Sequence, residues 1–382
     1  MPHLKKQFLL DPDIIFLNHG SFGATPKPVF DAYQSWQREL ERQPVEFLDR
    51  RFAERMATSR AVLANYLGTQ RDHLVYVTNA TVGVNLVARS LDLGIGDEVL
   101  STNHEYGACD RVWRFLSQKR GFAYISQPIS MPIASAEDFV EQLWQGVTTR
   151  TKIIYLSHIT SPTAVIFPVA EVCHRAREQA ILTVVDGAHA PGQIHLDLEK
   201  IGADFYTGNL HKWLSAPKGA GFLYARPEVQ NLLEPLIISW GWESEKPGPS
   251  QFIDHHEWWG TRDIAAFLSV PAAIQFQKEN NWDEVRAACH ALTVVAGMRI
   301  RELTGLSSPY TDDTWYAQMT TAMLPPETDI LELKKYLYDR QRIEVPLIDW
   351  NGKKLIRVSV QGYNRPKDID VLIKSLKRWM SR

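Results

Sequence analysis

The chain has 382 residues, of which 45% are apolar, and a formal net charge of −2. This length exceeds the usual size of one hydrophobic core and predicts a large domain with a smaller one. The near-neutral charge gives no indication of a nucleic-acid or anionic-membrane partner, and no apolar run is long enough to span a bilayer.

The beginning of the chain and its cysteines bear on the cellular compartment. Residues 1–7 lack the apolar core of a signal peptide. The three cysteines, Cys109, Cys173 and Cys289, lie far apart and in no spacing typical of a metal site. These features predict a cytoplasmic protein with reduced thiols and no bound metal.

Helical and strand patterns alternate through more than half of the chain. Apolar periodicity predicts helices over residues 28–40 and 47–67, and Gly68 ends the second helix. Strand patterns then recur between helices, at residues 74–77, 98–101, 122–126, 152–158, 183–185, 204–207 and 221–225. This alternation predicts an α/β fold with a mostly parallel, doubly wound sheet.

The pattern changes after Arg226. Residues 239–263 are rich in Trp, Gly, Pro and His, which is typical of a long functional loop. Helices are predicted over 264–279 and 282–303, followed by a strand over 354–360 and a final helix. We therefore expect an N-terminal arm over residues 1–25, a large domain over 26–255 and a smaller C-terminal α+β domain over 256–382.

The first predicted strand of the sheet leads into a possible anion site. Residues 74–77 run through a short turn into an apolar helix that extends to Leu91. Such a junction presents free backbone N–H groups and the positive end of the helix dipole, which together bind phosphate readily. An ordinary helix cap is the alternative interpretation, and a cap can also be a phosphate site.

Asp186 follows a run of β-branched residues that is typical of a buried strand, at 183–185. A carboxylate at the carboxyl end of a parallel strand lies where open α/β sheets bind ligands. Taken alone, Asp186 could equally be a turn former or a helix cap.

Lys212 lies between two predicted strands, and Asn209 and His211, which can help to hold an anion, precede it closely. A lysine amine can condense with an aldehyde to give a Schiff base, and this requires the neutral amine, which burial favours. A second lysine, Lys218, stands between Pro217 and Gly219 in a turn and is predicted to be exposed. An exposed turn lysine is also the alternative interpretation of Lys212.

Lys212 and Asp186 together suit pyridoxal 5′-phosphate (PLP). The lysine would hold the aldehyde, and the carboxylate would keep the pyridine nitrogen protonated so that the ring acts as an electron sink. The motifs that carry both residues are Asp-Gly-Ala-His at 186–189, Thr-Gly-Asn-Leu-His-Lys-Trp at 207–213 and Pro-Lys-Gly-Ala-Gly-Phe-Leu-Tyr at 217–224. They resemble the class V aminotransferase group of fold-type I PLP enzymes, and within it the isopenicillin N epimerase-like branch.

This resemblance implies which residues contact the cofactor. Ala80 and Thr81 match the phosphate-binding turn, and the ring of Tyr106 matches the aromatic group that stacks on the cofactor. His189 matches a contact to the ring hydroxyl. Ser161 matches a polar residue near the ring oxygen or the substrate, where cysteine desulfurases usually have Asn. Core packing is the alternative for Tyr106, and a satisfied core histidine is the alternative for His189.

The resemblance also implies substrate and subunit contacts. Asn18 and His19 belong to an arm that would line the active site and meet the substrate, although they could be plain turn formers. Arg357 matches the arginine that binds the substrate α-carboxylate through two parallel hydrogen bonds, with a surface arginine as the alternative. Thr261 matches a residue that reaches the cofactor phosphate of the neighbouring subunit, which implies a homodimer. A solvent-facing turn is the alternative for Thr261.

We therefore predict a PLP-dependent enzyme that acts at the α-carbon of an amino acid or amino-acid-like substrate. Lys212 would act as the base, and epimerisation would also need a second acid, which the sequence does not identify.

A C–S lyase, an aminotransferase or a kynureninase-like hydrolase is an alternative. A cysteine desulfurase is disfavoured because residues 306–344 contain no cysteine. A non-catalytic PLP-fold protein would be expected to lack Lys212, Asp186 or Arg357, and a nucleotide-binding protein would need a P-loop or Gly-x-Gly-x-x-Gly motif.

Overall fold

The computed structural model describes residues 4–381; residues 1–3, which belong to the predicted N-terminal arm, and Arg382 lie outside the described part. The strands are β1 Ile15–Phe16, β2 Leu74–Val77, β3 Glu98–Thr102, β4 Ala123–Gln127, β5 Thr151–Ser157, β6 Leu182–Asp186, β7 Phe205–Asn209, β8 Gly221–Ala225, β9 Met319–Met323, β10 Ile343–Glu344, β11 Leu347–Trp350 and β12 Lys353–Ser359. The α-helices are α1 His19–Phe22, α2 Lys27–Arg42, α3 Phe52–Leu67, α4 Ala80–Ser90, α5 Gly107–Arg120, α6 Ala136–Trp144, α7 Val169–Glu178, α8 Leu198–Ile201, α9 Gln251–Glu257, α10 Ala265–Leu268, α11 Val270–Glu279, α12 Trp282–Thr304, α13 Ile330–Lys335 and α14 Pro366–Met380. Within the described residues, no helix combines the length and the apolar character needed to cross a bilayer.

A seven-stranded sheet in the order β2-β8-β7-β6-β5-β3-β4 forms the centre of the larger part of the molecule. Strands β7, β6, β5, β3 and β4 run parallel, whereas β8 is antiparallel to both of its neighbours. Every residue of β2, β3, β7 and β8 is buried, as expected for strands that are covered on both faces. The predicted α/β fold with a mostly parallel sheet is confirmed.

Successive residues of one strand contribute to different hydrophobic clusters. Tyr76 belongs to a cluster that continues into the C-terminal helices, whereas Val75 and Val77 belong to a cluster beneath α4 and α5. This follows from the two-residue period of a strand, which sends alternate side chains to opposite faces.

The C-terminal part forms a second, antiparallel sheet in the order β11-β12-β9, against which α12 packs. The N-terminal arm joins this part of the chain. β1 pairs in parallel with β10, and the Ser359 N–H donates to Leu17 O over 3.0 Å. The arm and the end of β12 therefore lie side by side.

Two predicted elements differ from the structure. The helix predicted over 264–279 is divided at Ser269 into α10 and α11, and α11 carries a proline in its first turn. Proline fits the first turn of a new helix but not the middle of a continuous one, because it lacks an N–H and clashes with the preceding turn. The helix predicted over 47–67 begins with a π-helical segment, Glu46–Arg50, and becomes α-helical at Phe52.

Gly83 allows α4 to lie close against the sheet. A Cβ atom at this position would lie 2.1 Å from Thr207 Oγ1, and that hydroxyl is held by donating to Phe222 O over 2.7 Å. We expect Gly83→Ala to lower the free energy of unfolding by about 1–3 kcal/mol through overpacking. Gly94→Ala is the matched control, because a Cβ there meets nothing within 4 Å, and it should change stability by about 0.5 kcal/mol or less. Equal denaturation midpoints for the two variants would contradict this account of the packing.

Candidate active site

A cavity of about 450 Å³ opens at the carboxyl ends of β5, β6 and β7, beside the N-terminus of α4. This is the edge at which open α/β sheets bind ligands. The predicted site residues that line it are Ala80, Thr81, Tyr106, Ser161, Asp186, His189, Asn209, His211 and Lys212. The structure therefore brings together residues that lie far apart in the sequence.

Asp186 is buried at the end of β6, with its carboxylate in the cavity wall. Its Oδ1 accepts the Ala188 N–H over 2.9 Å, and the Tyr155 hydroxyl donates to Oδ2 over 3.4 Å. Burial raises the pKa of Asp186, and the Ala188 N–H and the Lys212 charge counteract this increase. None of the ion pairs between described residues includes Asp186. A cationic ring nitrogen in the cavity would fit this carboxylate.

The amine of Lys212 contacts the neutral imidazole of His189. Its Nζ lies 3.2 Å from His189 Nε2, and the Trp213 indole N–H donates to His189 Nδ1 over 3.3 Å. The indole nitrogen is a donor only, so neutral His189 carries its proton on Nε2 and donates it to the amine. Burial holds the pKa of His189 well below its usual value and lowers the pKa of Lys212 to about 8. Both effects favour the neutral, nucleophilic amine.

The backbone of Lys212 is fixed by the N-terminal arm. The His19 Nε2–H donates to Lys212 O over 2.9 Å, and His19 Nδ1 accepts from the Tyr363 hydroxyl over 2.9 Å. Gly23 has a φ of +68°, and a Cβ there would lie 2.0 Å from His211 O. The fully buried His19 thus contacts the lysine backbone and is absent from the cavity lining, because both of its ring nitrogens are used behind Lys212.

The N-terminus of α4 closes another side of the cavity. Asn79 caps the helix by accepting the Val82 N–H over 3.0 Å, and Asn209 Oδ1 accepts the Ala80 N–H over 2.9 Å. The Ala80 N–H therefore already has a hydrogen-bond acceptor at the end of β7 and is not free to bind a phosphate. Thr81, which lies in the first turn and lines the cavity, is the better placed of the two predicted phosphate contacts.

Arg357 lies directly behind the cavity lining. It is 4% exposed, and its guanidinium donates to Ser161 Oγ over 3.1 Å and to Ser21 Oγ over 3.2 Å, two side chains of the lining. Its Nε is buried and has no hydrogen-bond partner. Burial lowers its pKa to about 10. A buried guanidinium with an unsatisfied N–H fits a carboxylate ligand.

Comparison with known proteins supports a family assignment. The family model for aminotransferase class-V matches residues 15–372. The chain is 35% identical to isopenicillin N epimerase of Amycolatopsis lactamdurans over 98% of this chain and 97% of that protein. It is 27% identical to an L-cysteine desulfhydrase of Arabidopsis thaliana over 93% of this chain and 86% of that one.

The protein belongs to the aminotransferase class-V family. The predicted PLP-dependent enzyme is thereby confirmed. The fold agrees with the apo structure of a cysteine desulfurase from Thermococcus onnurineus NA1, with a TM-score of 0.85, 20% identity, and coverage of 99% of this chain and 97% of that one. The predicted fold type I is confirmed as well.

Besides His19 and Arg357, two further residues predicted from the class V resemblance do not line the Lys212 cavity. Thr261 is exposed and lines a separate cavity of about 1030 Å³ together with Trp240 and Trp258. The Asn18 amide donates to Glu344 Oε1 over 3.0 Å, and Asn18 Oδ1 accepts from Ser21 Oγ over 2.5 Å, so Asn18 lies behind the lining residue Ser21 without lining the cavity itself.

The sequence analysis does not identify several residues that line this cavity, among them Ser157, Asn79 and Phe22. Ser157 ends β5, so the rule that placed Asp186 at a strand end could have found it. Phe22 is an exposed aromatic residue of the short helix α1, and its pattern carries no such signal.

Proposed function

We propose that this class V enzyme removes a proton from the α-carbon of an amino acid or amino-acid-like substrate, and that its reaction is most like that of isopenicillin N epimerase. The observation that carries this proposal is the placement of the Lys212 amine and the Asp186 carboxylate on one cavity. Bound PLP supplies an aldehyde for covalent attachment and a ring that withdraws electrons from the α-carbon.

Each of three residues has a defined task. Asp186 would stabilise a protonated ring nitrogen of the bound cofactor, since a buried carboxylate stabilises the positive charge opposite it. Lys212 takes the proton from the α-carbon in its neutral form, and its lowered pKa of about 8 keeps part of the amine neutral near physiological pH. The His189 Nε2–H orients that amine through the 3.2 Å contact.

Arg357 binds the substrate carboxylate in this proposal. We expect Arg357→Lys to raise KM by roughly 10- to 100-fold, with a smaller effect on kcat, because lysine cannot form two parallel hydrogen bonds. Steady-state kinetics would measure the change. Arg340→Lys, at an exposed position, is the control and should leave KM unaltered. A fall in kcat at constant KM would argue against a role in carboxylate binding.

A C–S lyase is the second candidate, and the similarity to an L-cysteine desulfhydrase favours it. The desulfurase variant of this chemistry needs a nucleophilic cysteine at the site. All three cysteines are buried, and none of them lines the Lys212 cavity. β-Elimination needs no such group, so a lyase remains compatible with the cavity.

We also infer a homodimer in the cytoplasm. Ile238 and Trp240 are 72% and 83% exposed, and Trp240 lies with Thr261 around the 1030 Å³ cavity. Exposed apolar groups of this size favour a protein–protein interface there. Contact with a second subunit would allow Thr261 to reach the cofactor phosphate of that subunit. Sedimentation analysis is expected to give twice the monomer mass, and a monomer would overturn this inference.

Incubation of an amino-acid panel in deuterated water tests the reaction class. Deuterium at Cα with inversion of configuration supports an epimerase, keto-acid formation supports transamination, and release of a sulfur fragment supports a lyase. Lys212→Ala is the control that should give none of these. Equal deuterium incorporation by the wild type and the control would contradict proton removal by Lys212.

A further inference from the structure

Glu105 is a carboxyl group without a cationic partner, next to the cofactor end of the cavity. It immediately precedes Tyr106 and lies in the turn between β3 and α5. Its Oε1 contacts Thr102 Oγ1 over 2.7 Å, and its Oε2 contacts Ser157 Oγ over 2.6 Å. No ion pair between described residues includes Glu105.

The groups around Glu105 disfavour its ionised form. Asp186 faces it from β6, Tyr155 from β5 and Tyr124 from β4. None of these is a cation. Burial, with a smaller contribution from the Asp186 charge, raises the pKa of Glu105 to about 8, although the Ser157 and Thr102 hydroxyls and the Ser157 backbone N–H counteract this increase. The carboxyl is thus mainly protonated at neutral pH.

Three groups lie within hydrogen-bond reach of the carboxyl, namely the Thr102 and Ser157 hydroxyls and the Ser157 backbone N–H. Thr102 Oγ1 already accepts the His104 N–H over 3.1 Å, so its own hydrogen is directed to Glu105 Oε1. The remaining carboxyl proton then lies on Oε2 and faces Ser157 Oγ. Ser157 lines the cavity and pairs with Asp186 in the sheet register.

We propose that Glu105 is a positioning residue whose neutral carboxyl donates from Oε2 to Ser157 Oγ, so that Ser157 presents its own O–H to the cavity beside Asp186. This inference rests on the proposed function, since it assigns Asp186 as the single ionised carboxylate at the ring-nitrogen end. Ionised Glu105 would accept the Ser157 hydrogen instead and would add a second buried negative charge. The protonation state of Glu105 therefore sets the direction of the Ser157 hydrogen bond.

Infrared spectroscopy of the apo-protein tests the proton directly. The wild type at neutral pH should show a C=O stretching band of a protonated carboxyl that disappears in Glu105→Gln and titrates away as the pH rises through about 8. Glu98→Gln is the matched control, because Thr148 and Arg150 hold the pKa of Glu98 below its usual value. That variant should keep the band. Identical carboxyl bands in the wild type and Glu105→Gln would overturn the proposal.

The activity of the PLP-loaded enzyme provides a second test. Glu105→Ala should lower kcat/KM by about tenfold, because it leaves two hydroxyls without their partner. Glu105→Gln should restore most of this loss, since its amide N–H₂ donates to Ser157 in place of the carboxyl O–H. A glutamine variant as impaired as the alanine variant would show that the carboxylate is required, and would overturn the proposal.

The experiments distinguish an error in the proposed function from an error in the Glu105 proposal. Absence of covalent PLP at Lys212 would contradict the proposed function, whereas the infrared band of Glu105 in the apo-protein would be unaffected.

Discussion

Lys212→Ala is expected to abolish covalent attachment of PLP and to lower kcat/KM by at least about 10³-fold. The variant loses both the amine that reacts with the aldehyde and the base that moves the α-proton, and each of these contributes a large factor to the rate. PLP is expected to bind noncovalently, because Asp186, Thr81 and Tyr106 still line the cavity. Absorbance spectra and steady-state kinetics would measure the two losses.

Lys218→Ala is the matched control for this variant. Lys218 lies in the same segment between β7 and β8, but it is exposed as predicted, and its Nζ donates to Gly23 O over 3.3 Å. Its removal should change kcat/KM by about threefold or less, as for a surface substitution. If the two lysine variants lost activity equally, the special role of Lys212 would be refuted.

Asp186→Asn is expected to lower kcat/KM by roughly 10²- to 10³-fold, which corresponds to the loss of one partner of a buried charge pair. Asparagine retains the shape of the side chain but cannot stabilise a protonated ring nitrogen. The variant should still attach PLP covalently, because Lys212 is intact. The expected pattern is therefore normal attachment with slow turnover.

Asp197→Asn controls for the chemical change at Asp186. Asp197 caps α8 at the surface, where its Oδ1 accepts the Lys200 N–H over 3.1 Å. Asparagine caps helices equally well, so this variant should retain wild-type kinetics. Full activity in Asp186→Asn, measured alongside this control, would refute the assigned role of the carboxylate.

The sequence is sufficient to predict the groups that lie at strand ends. Asp186 follows a β-branched run, and Lys212 lies between two strand patterns, so the parallel-sheet rule brings them to one edge. The same rule applies to Ser157. Glu105 carries no such signal, because its protonation depends on Asp186 and Ser157, which belong to other strands and lie far from it in the sequence.

The sequence alone does not predict which side chains of distant segments contact each other. The class V resemblance implies that His19 meets the substrate, whereas in the structure its position follows from the pairing of the arm with the C-terminal part, where it meets Tyr363. Likewise, the sequence predicts that Asn209 helps to hold an anion, and the structure shows its Oδ1 accepting the Ala80 N–H, 129 positions away. Local patterns do not encode which distant group a side chain meets. The role of Thr261 depends on a second subunit and stays a prediction.

Borohydride reduction of the PLP-loaded protein, followed by peptide mapping, tests the central claim most directly. Reduction makes the bond between the cofactor and the amine permanent, so the modified residue can be identified by mass spectrometry. We predict that the cofactor mass is found on Lys212 and is absent from Lys218. A label on another lysine, or equal labelling in Lys212→Ala, would contradict the account.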